Sequence, residues 1–286
     1  MLSPTTPFHF QDFDFYVKRD ELIHPLLSGN KYRKLYTLLQ TPTDTYHTII
    51  SYGGTQSNAM LSIAALCQQK GWRFQYYCKP LASHLKQQPS GNLKEALDLD
   101  MELLETERYE STVSQLRSKD KTLLVPQGGA DPLAEEGIVI LANEIQTWQQ
   151  QNNIKKLSIV TPSGTGTTVY YLAKHLPDYQ VLTTASVGNN TYLKQQMNQL
   201  GGFPNNLALL EPSRKYHFAK PYPEFLKTYQ ELQQAGIIFD LIYAPKMWLT
   251  LLANMQNTHD TVLYVHSGGL LGNETMLARY EHKAFL

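Results

Sequence analysis

Three residues in Lys31-Tyr32-Arg33-Lys34 are basic, and their spacing singles out one of them for chemistry. If Ser28 caps a helix that runs to about Gln40, each residue turns the axis by about 100°. Leu35 and Leu38 then flank Lys31 on one face, and Tyr32, Tyr36 and Leu39 widen the apolar stripe. Arg33 falls outside that arc and Lys34 lies on its border. Apolar burial and the positive end of its own helix both disfavour the ammonium form of an inward lysine. A neutral amine can attack a carbonyl carbon or carry protons. The competing reading is a lysine that lays its stem along the core and lifts its ammonium into water.

Three glycine-rich stretches offer partners for such an amine. In SYGGTQSNAMLS a strand ends at Gly53-Gly54 and a helix starts near Ser57-Asn58. Exposed N–H groups and the dipole there suit a carboxylate, although a tight turn with a Ser or Asn cap uses the same residue types. In TPSGTGTT, Gly164, Thr165, Gly166, Thr167 and Thr168 open the next helix and suit a phosphate. That loop has neither the lysine of a P-loop nor dinucleotide spacing, so a phosphate without a nucleotide fits better. HSGGLLG, residues 266–272, follows another strand. Together these could hold a phosphate, a ring and a carboxylate around the amine.

The elements that must position them alternate. Strand-like runs YHTIIS, FQYYC, MELLE and TLLVP are followed by helical stretches at 58–69, 83–99, 111–118 and 134–150. KLSIVTP, VLTTASV, IIFDLIY and TVLYVHS read as further strands, with helices at 168–175 and 191–200. Such alternation predicts an α/β fold of parallel strands and crossover helices in two open sheets, with ligands beyond the carboxyl ends of the strands. Residues 201–225, rich in turn formers and aromatics, read as an irregular substrate-facing loop or a plain surface connection.

Composition narrows the partner. The 286 residues allow two domains or one α/β unit with a large insertion, and 25 basic residues balance 25 acidic ones. No strong field calls for nucleic acid or anionic lipid, which leaves a small molecule. The opening residues lack a secretory pattern and no apolar run spans a bilayer, so a cytoplasmic protein is expected. Cys67 and Cys78 have neither disulfide-framework nor zinc spacing and read as buried thiols, with no metal indicated.

In order along the chain, VKRDELIHPLLSGNKYRKL, SYGGTQSNA, GNLKEAL, VPQGGADPLAEEG, TPSGTGTT, FDLIYAPKMW and VLYVHSGG resemble one group of enzymes. It is the pyridoxal-phosphate-dependent 1-aminocyclopropane-1-carboxylate deaminase and D-cysteine desulfhydrase family, of the tryptophan synthase β-like fold, fold type II. The first two segments are the specific ones. The resemblance implies pyridoxal 5'-phosphate held as a Schiff base on Lys31, in a cleft between two α/β domains. Residues 1–43 with 146–286 would form the larger domain, and 44–145 the smaller inserted one. Ser57 would hydrogen-bond the substrate carboxylate or assist proton transfer, and Asn58 would contact the pyridoxal 3-hydroxyl. Gly164 to Thr168 match the phosphate cup, with Lys34 as a second phosphate contact. Tyr243 matches a tyrosine close to the reacting atoms, its alternative being a strand-end aromatic. A homodimer acting on a small amino acid is implied.

Three positions depart from the deaminase pattern. Ala244 replaces the glutamate that pairs with the pyridine nitrogen, which leaves that contact to Ser267. Phe218, in FAKP, stands where the deaminase has a second active-site tyrosine, and Ala59 replaces a polar residue after Ser-Asn. A hydroxyl beside the ring nitrogen sustains a weaker electron sink than a carboxylate does. The expected reaction is therefore α,β-elimination, as with D-cysteine, to a 2-oxo acid and ammonia. Ring-opening deamination and a catalytically silent protein that binds pyridoxal phosphate or a metabolite are the rivals.

Overall fold

The computed structural model describes residues 2–116, 120–129, 131–255 and 260–283. Its strands are β1 (Thr5–Phe10), β2 (Phe13–Lys18), β3 (Thr48–Tyr52), β4 (Arg73–Cys78), β5 (Glu102–Glu105), β6 (Thr122–Leu124), β7 (Leu157–Val160), β8 (Gln180–Thr183), β9 (Leu207–Leu209) and β10 (Thr261–Val265). The helices are α1 (Asn30–Lys34), α2 (Tyr36–Gln40), α3 (Asn58–Lys70), α4 (Ser83–Gln87), α5 (Gly91–Asp98), α6 (Tyr109–Ser114), α7 (Glu135–Gln151), α8 (Thr167–His175), α9 (Asn190–Asn198), α10 (Pro223–Gln234), α11 (Ala244–Leu252) and α12 (Gly272–His282).

Two sheets carry the fold, in strand orders β1-β2-β10-β7-β8-β9 and β5-β4-β3-β6. All pairings are parallel except the β1/β2 hairpin. Parallel strands bury both faces under crossover helices, and the sequences show it: Leu157, Ser158, Ile159 and Val160 of β7 are all buried. The expected α/β architecture of two parallel sheets is borne out.

Each sheet has its own core. Ile49, Phe74 and Tyr76 pack with Met60, Ile63 and Leu66 of α3, and this cluster reaches Leu35 and Leu38 beside the lysine helix. Ile138, Leu141, Ala142 and Ile145 of α7 pack with α8 and with Ile159, Val181 and Leu263 of the six-stranded sheet. Phe8, Phe10 and Phe15 of the hairpin close the sheet's other face around Trp248. The short connections thus lie over the carboxyl ends of β3, β7 and β10, where the three glycine-rich stretches fall.

Several expectations need correction. The helix drawn from a Ser28 cap to Gln40 is two short helices, broken at Leu35 (φ −95°, ψ 6°), and Gly29 rather than Ser28 precedes the first. The Ser28 hydroxyl instead accepts from the Gly269 N–H at 3.1 Å. The 83–99 helix is interrupted between Gln87 and Gly91, where Pro89 lies and Gly91 takes φ +56°. IIFDLIY forms no strand, because the Asp240 carboxylate accepts from the N–H groups of Ile242 and Tyr243 and turns the chain into α11. The helix expected at 111–118 runs from Tyr109 to Ser114, and Ser118 lies outside the described residues. The 201–225 loop contains β9 and the first turn of α10. The sequence pattern does not predict the β1/β2 hairpin or α10, α11 and α12.

Both cysteines are free and buried, as expected. No helix among the described residues is long and apolar enough to cross a membrane.

Candidate active site

The loops after β10, before α1 and before α3 meet backbone to backbone. The Asn30 N–H donates to Ser267 O at 3.1 Å, and a Cβ added at Gly29 would lie 2.1 Å from that oxygen. With φ +58° besides, position 29 admits only glycine. A Cβ at Gly269 would lie 2.1 Å from Asn58 Nδ2, so the asparagine side chain rests on bare backbone. The junction after β7 joins through Lys34, whose Nζ donates to Gly128 O at 3.1 Å and to Thr165 Oγ1 at 3.4 Å. Thr165 and Thr167 share a hydroxyl contact at 3.0 Å. The Tyr243 ring lies along Gly164, 3.6 Å from where its Cβ would be. Lys31, Lys34, Asn58, Thr165, Ser267 and Tyr243 are thereby gathered around α1. Ser57 precedes Asn58 as the cap of α3, its Oγ accepting from the Met60 N–H at 3.4 Å.

The electrostatics of the three basic residues differ from the expected pattern. Arg33 is not outside the packed arc; it is the most enclosed of the three, with no exposed surface. Its guanidinium donates to both oxygens of Asp20 (3.0 and 2.8 Å) and both oxygens of Glu144 (2.8 Å each). Lys18 adds a 2.7 Å ion pair to Glu144. Burial alone would lower the Arg33 pKa, but its hydrogen bonds to Glu144 and the charge of, and hydrogen bonds to, Asp20 raise it. Lys34 is also buried rather than on a border.

The two lysines lack such carboxylate contacts. Lys31 is half-buried; desolvation brings its pKa down to about 8, with Asp240 pulling the other way, and among the described residues its Nζ donates to Asn30 Oδ1 at 2.8 Å. Burial and then the charge of Lys31 hold Lys34 well below an ordinary lysine. Two amines that resist protonation thus sit side by side. Thr168 Oγ1 is buried without a hydrogen-bond partner in the loop beside them, and α8 directs its N-terminus there. Among the described residues, an unspent hydroxyl, an amine and a helix N-terminus match the requirements of a phosphate.

The Phe218 ring lies tilted by 53° against Tyr243 with ring centroids 5.6 Å apart, so a phenyl ring without a hydroxyl borders the tyrosine. Ala244 packs into the core with Phe239 and Trp248, and Ala59 is buried in the first turn of α3. Ser267 is half-buried. No group of three or more His, Cys, Asp or Glu residues placed to hold a metal occurs among the described residues.

Two buried groups were not singled out from sequence. Asp240 anchors the turn that carries Tyr243, and burial raises its pKa against those hydrogen bonds. His266, driven down to about 4 by burial, is neutral: its Nε2–H donates to Ile238 O at 2.9 Å and its Nδ1 accepts from the Gly268 N–H at 3.0 Å. HSGG and FDLIY contained both, but the polar residue inside each apolar run gave no hint of a buried partner.

No family model matches the chain. Curated relatives do. A Thermotoga maritima protein that carries the provisional name 1-aminocyclopropane-1-carboxylate deaminase is 28% identical, over 91% of this chain and 90% of its own. D-cysteine desulfhydrase of Serratia proteamaculans is 26% identical, over 90% and 86%. A mitochondrial bifunctional D-cysteine desulfhydrase/1-aminocyclopropane-1-carboxylate deaminase of Arabidopsis thaliana is 25% identical, over 91% and 73%. Among solved structures, an ACC deaminase homologue superposes with TM-score 0.76 at 22% identity, covering 97% of this chain and 94% of its own. A Rhizomucor miehei L-serine ammonia-lyase superposes with TM-score 0.68 at 14% identity, covering 99% and 98%. The resemblance read from the sequence is borne out, and the chain has the fold of these type II enzymes.

Proposed function

We propose that this chain is a pyridoxal-phosphate-dependent lyase that removes a β leaving group from a small amino acid and releases a 2-oxo acid and ammonia, D-cysteine being the model substrate. The observation that carries the reading is the half-buried Lys31 amine, shifted to about 8, one helical turn from Lys34, which touches an anion-suited loop. Kinship with D-cysteine desulfhydrases supports it.

Bound here, the cofactor would supply an electron sink for the carbanion at the substrate's α-carbon. Gly164, Thr165, Gly166, Thr167 and Thr168, with Lys34, would hold its phosphate. Asn58 and Ser267 would meet polar atoms of its ring. Lys31 would attach it and, once released, take the α-proton on Nζ, a role that requires the neutral amine burial favours. Ser57, at the positive end of α3, would hold the substrate carboxylate. Tyr243 keeps its proton, since burial and then Asp240 raise its pKa, and so would serve as a donor near the leaving group. Ala244 and Phe218 disfavour ring opening, which needs a stronger sink and a further donor.

The division into 1–43 with 146–286 and 44–145 belongs to the same reading. Strands β3 to β6 lie inside the inserted stretch and the other six outside it. Helix α7 straddles the second boundary, its apolar face on the larger sheet. A cytoplasmic homodimer completes the proposal. The test is a visible spectrum with added pyridoxal phosphate, followed by 2-oxo acid detection across D- and L-amino acids. Wild type should turn yellow and release pyruvate from D-cysteine, whereas Lys31→Ala should do neither. A colourless wild type would refute the reading, and 2-oxobutanoate from aminocyclopropane carboxylate would replace the substrate class.

A further inference from the structure

GNLKEAL has no role in the reaction as described, yet its asparagine is enclosed completely and faces Asn58. Asn92 Nδ2 donates to Gln56 O at 3.0 Å and to Asn58 Oδ1 at 2.8 Å. Its backbone N–H donates to Gln56 Oε1 at 3.1 Å, and Gln56 Nε2 donates to Ser90 O at 3.0 Å. Side-chain amides can be turned over without changing shape, but backbone groups have one role each. Gln56 O only accepts, so the Asn92 atom facing it is the NH2. That NH2 also faces Asn58, so the Asn58 atom facing it is the oxygen. Likewise the Asn92 N–H and Ser90 O fix the Gln56 amide. The ring of contacts therefore has one consistent orientation.

Its consequence is at the cofactor end. With Oδ1 committed to Asn92, Asn58 turns its Nδ2 toward Gly269, and no acceptor among the described residues meets it. Behind the pair, a cavity of about 10 Å³ bounded by Ser28, Asn58, Asn92 and Gly269 holds at most a water. A Cβ at Gly91 would lie 2.3 Å from Thr275 Cγ2, so the turn that presents Asn92 is itself wedged against α12.

We infer that Asn92 is a positioning residue that locks the Asn58 amide as a hydrogen-bond donor toward the bound pyridine ring's oxygen. The inference rests on the proposed cofactor, and it specifies the charge state that the ring oxygen is given: a donor facing it favours the ionised form.

The test is the dissociation constant of pyridoxal phosphate, from absorbance titration of cofactor-free wild type, Asn58→Ala, Asn92→Ala and the double variant. Each single change should weaken binding by about tenfold, the scale of one charge-assisted hydrogen bond. In the Asn58→Ala background, removing Asn92 should weaken it by no more than about twofold, because it acts only through Asn58. Thermal unfolding of the cofactor-free proteins separates this from a loss of fold. Should Asn92→Ala not fold, Asn92→Asp gives the same reading: its carboxylate only accepts, so the Asn58 amide must turn over and the ring oxygen must lose its donor. Independent, additive losses, or wild-type affinity in a folded Asn92 variant, would overturn the inference and leave the proposed function standing. Wild type that binds no pyridoxal phosphate would overturn both.

Discussion

Within the five residues of α1, two kinds of desolvated cation stand side by side. Arg33 is enclosed with Asp20 and Glu144 against its guanidinium, and each of its three nitrogens donates to a carboxylate. Lys31, half-buried, and Lys34, buried, meet an amide oxygen, a carbonyl and a hydroxyl, none of which neutralises a charge. The paired cation stays charged and ties α1 to α7 and to the chain after β2. The unpaired amines are pushed toward neutrality, which is costly for stability and useful for covalent chemistry. Burial alone therefore does not mark a site; burial without a counter-charge does.

The comparison can be broken at either end. The largest effect is expected at Lys31: Lys31→Ala should lower turnover by on the order of a thousandfold or more and abolish covalent attachment, while leaving the unfolding midpoint at or above that of the cofactor-free wild type. Arg33→Met should do the reverse. Asp20 loses its counter-charge and Glu144 keeps only Lys18, so chemical denaturation should show a loss of about 3–5 kcal/mol. Equal destabilisation by the two changes would erase the distinction.

Lys34→Met should weaken pyridoxal phosphate binding by roughly tenfold to a hundredfold, read by absorbance titration, without preventing attachment to Lys31. A smaller effect is pH dependence. The amine must be neutral to react, so cofactor uptake in a stopped-flow trace should rise with pH and level off above about 8, the value to which burial lowers Lys31. The same shift makes cofactor-free protein more stable as pH rises from about 8 toward 10.5, where the unfolded chain holds a proton on Lys31 that the folded one has lost. Lys31→Met should flatten that part of the stability curve.

Much of this site was legible because chemistry and local pattern coincide. Lys31, the glycine-rich strand ends and the Thr-rich loop use residue types that backbone geometry and anion binding both demand. Arg33 was misplaced because its counter-charges lie 13 and 111 residues away in sequence, and helical periodicity knows nothing of them. The run ending at Tyr243 read as a strand from its apolar content, whereas one buried carboxylate, Asp240, turns it into a helix start. The β1/β2 hairpin and α10 to α12 were not anticipated for a related reason: their apolar faces become meaningful only around Trp248 and Tyr280, which sequence alone does not bring to them. Long-range pairing decided what local pattern could not.

The central claim is that the Lys31 amine, its pKa lowered to about 8, and not the Lys34 amine is the one that attaches the cofactor. Borohydride reduction of the protein mixed with pyridoxal phosphate, then peptide mass spectrometry, tests it directly. The predicted result is one phosphopyridoxyl group, on Lys31. An adduct on Lys34 or scattered over exposed lysines, with Lys31 unmodified, would contradict the account.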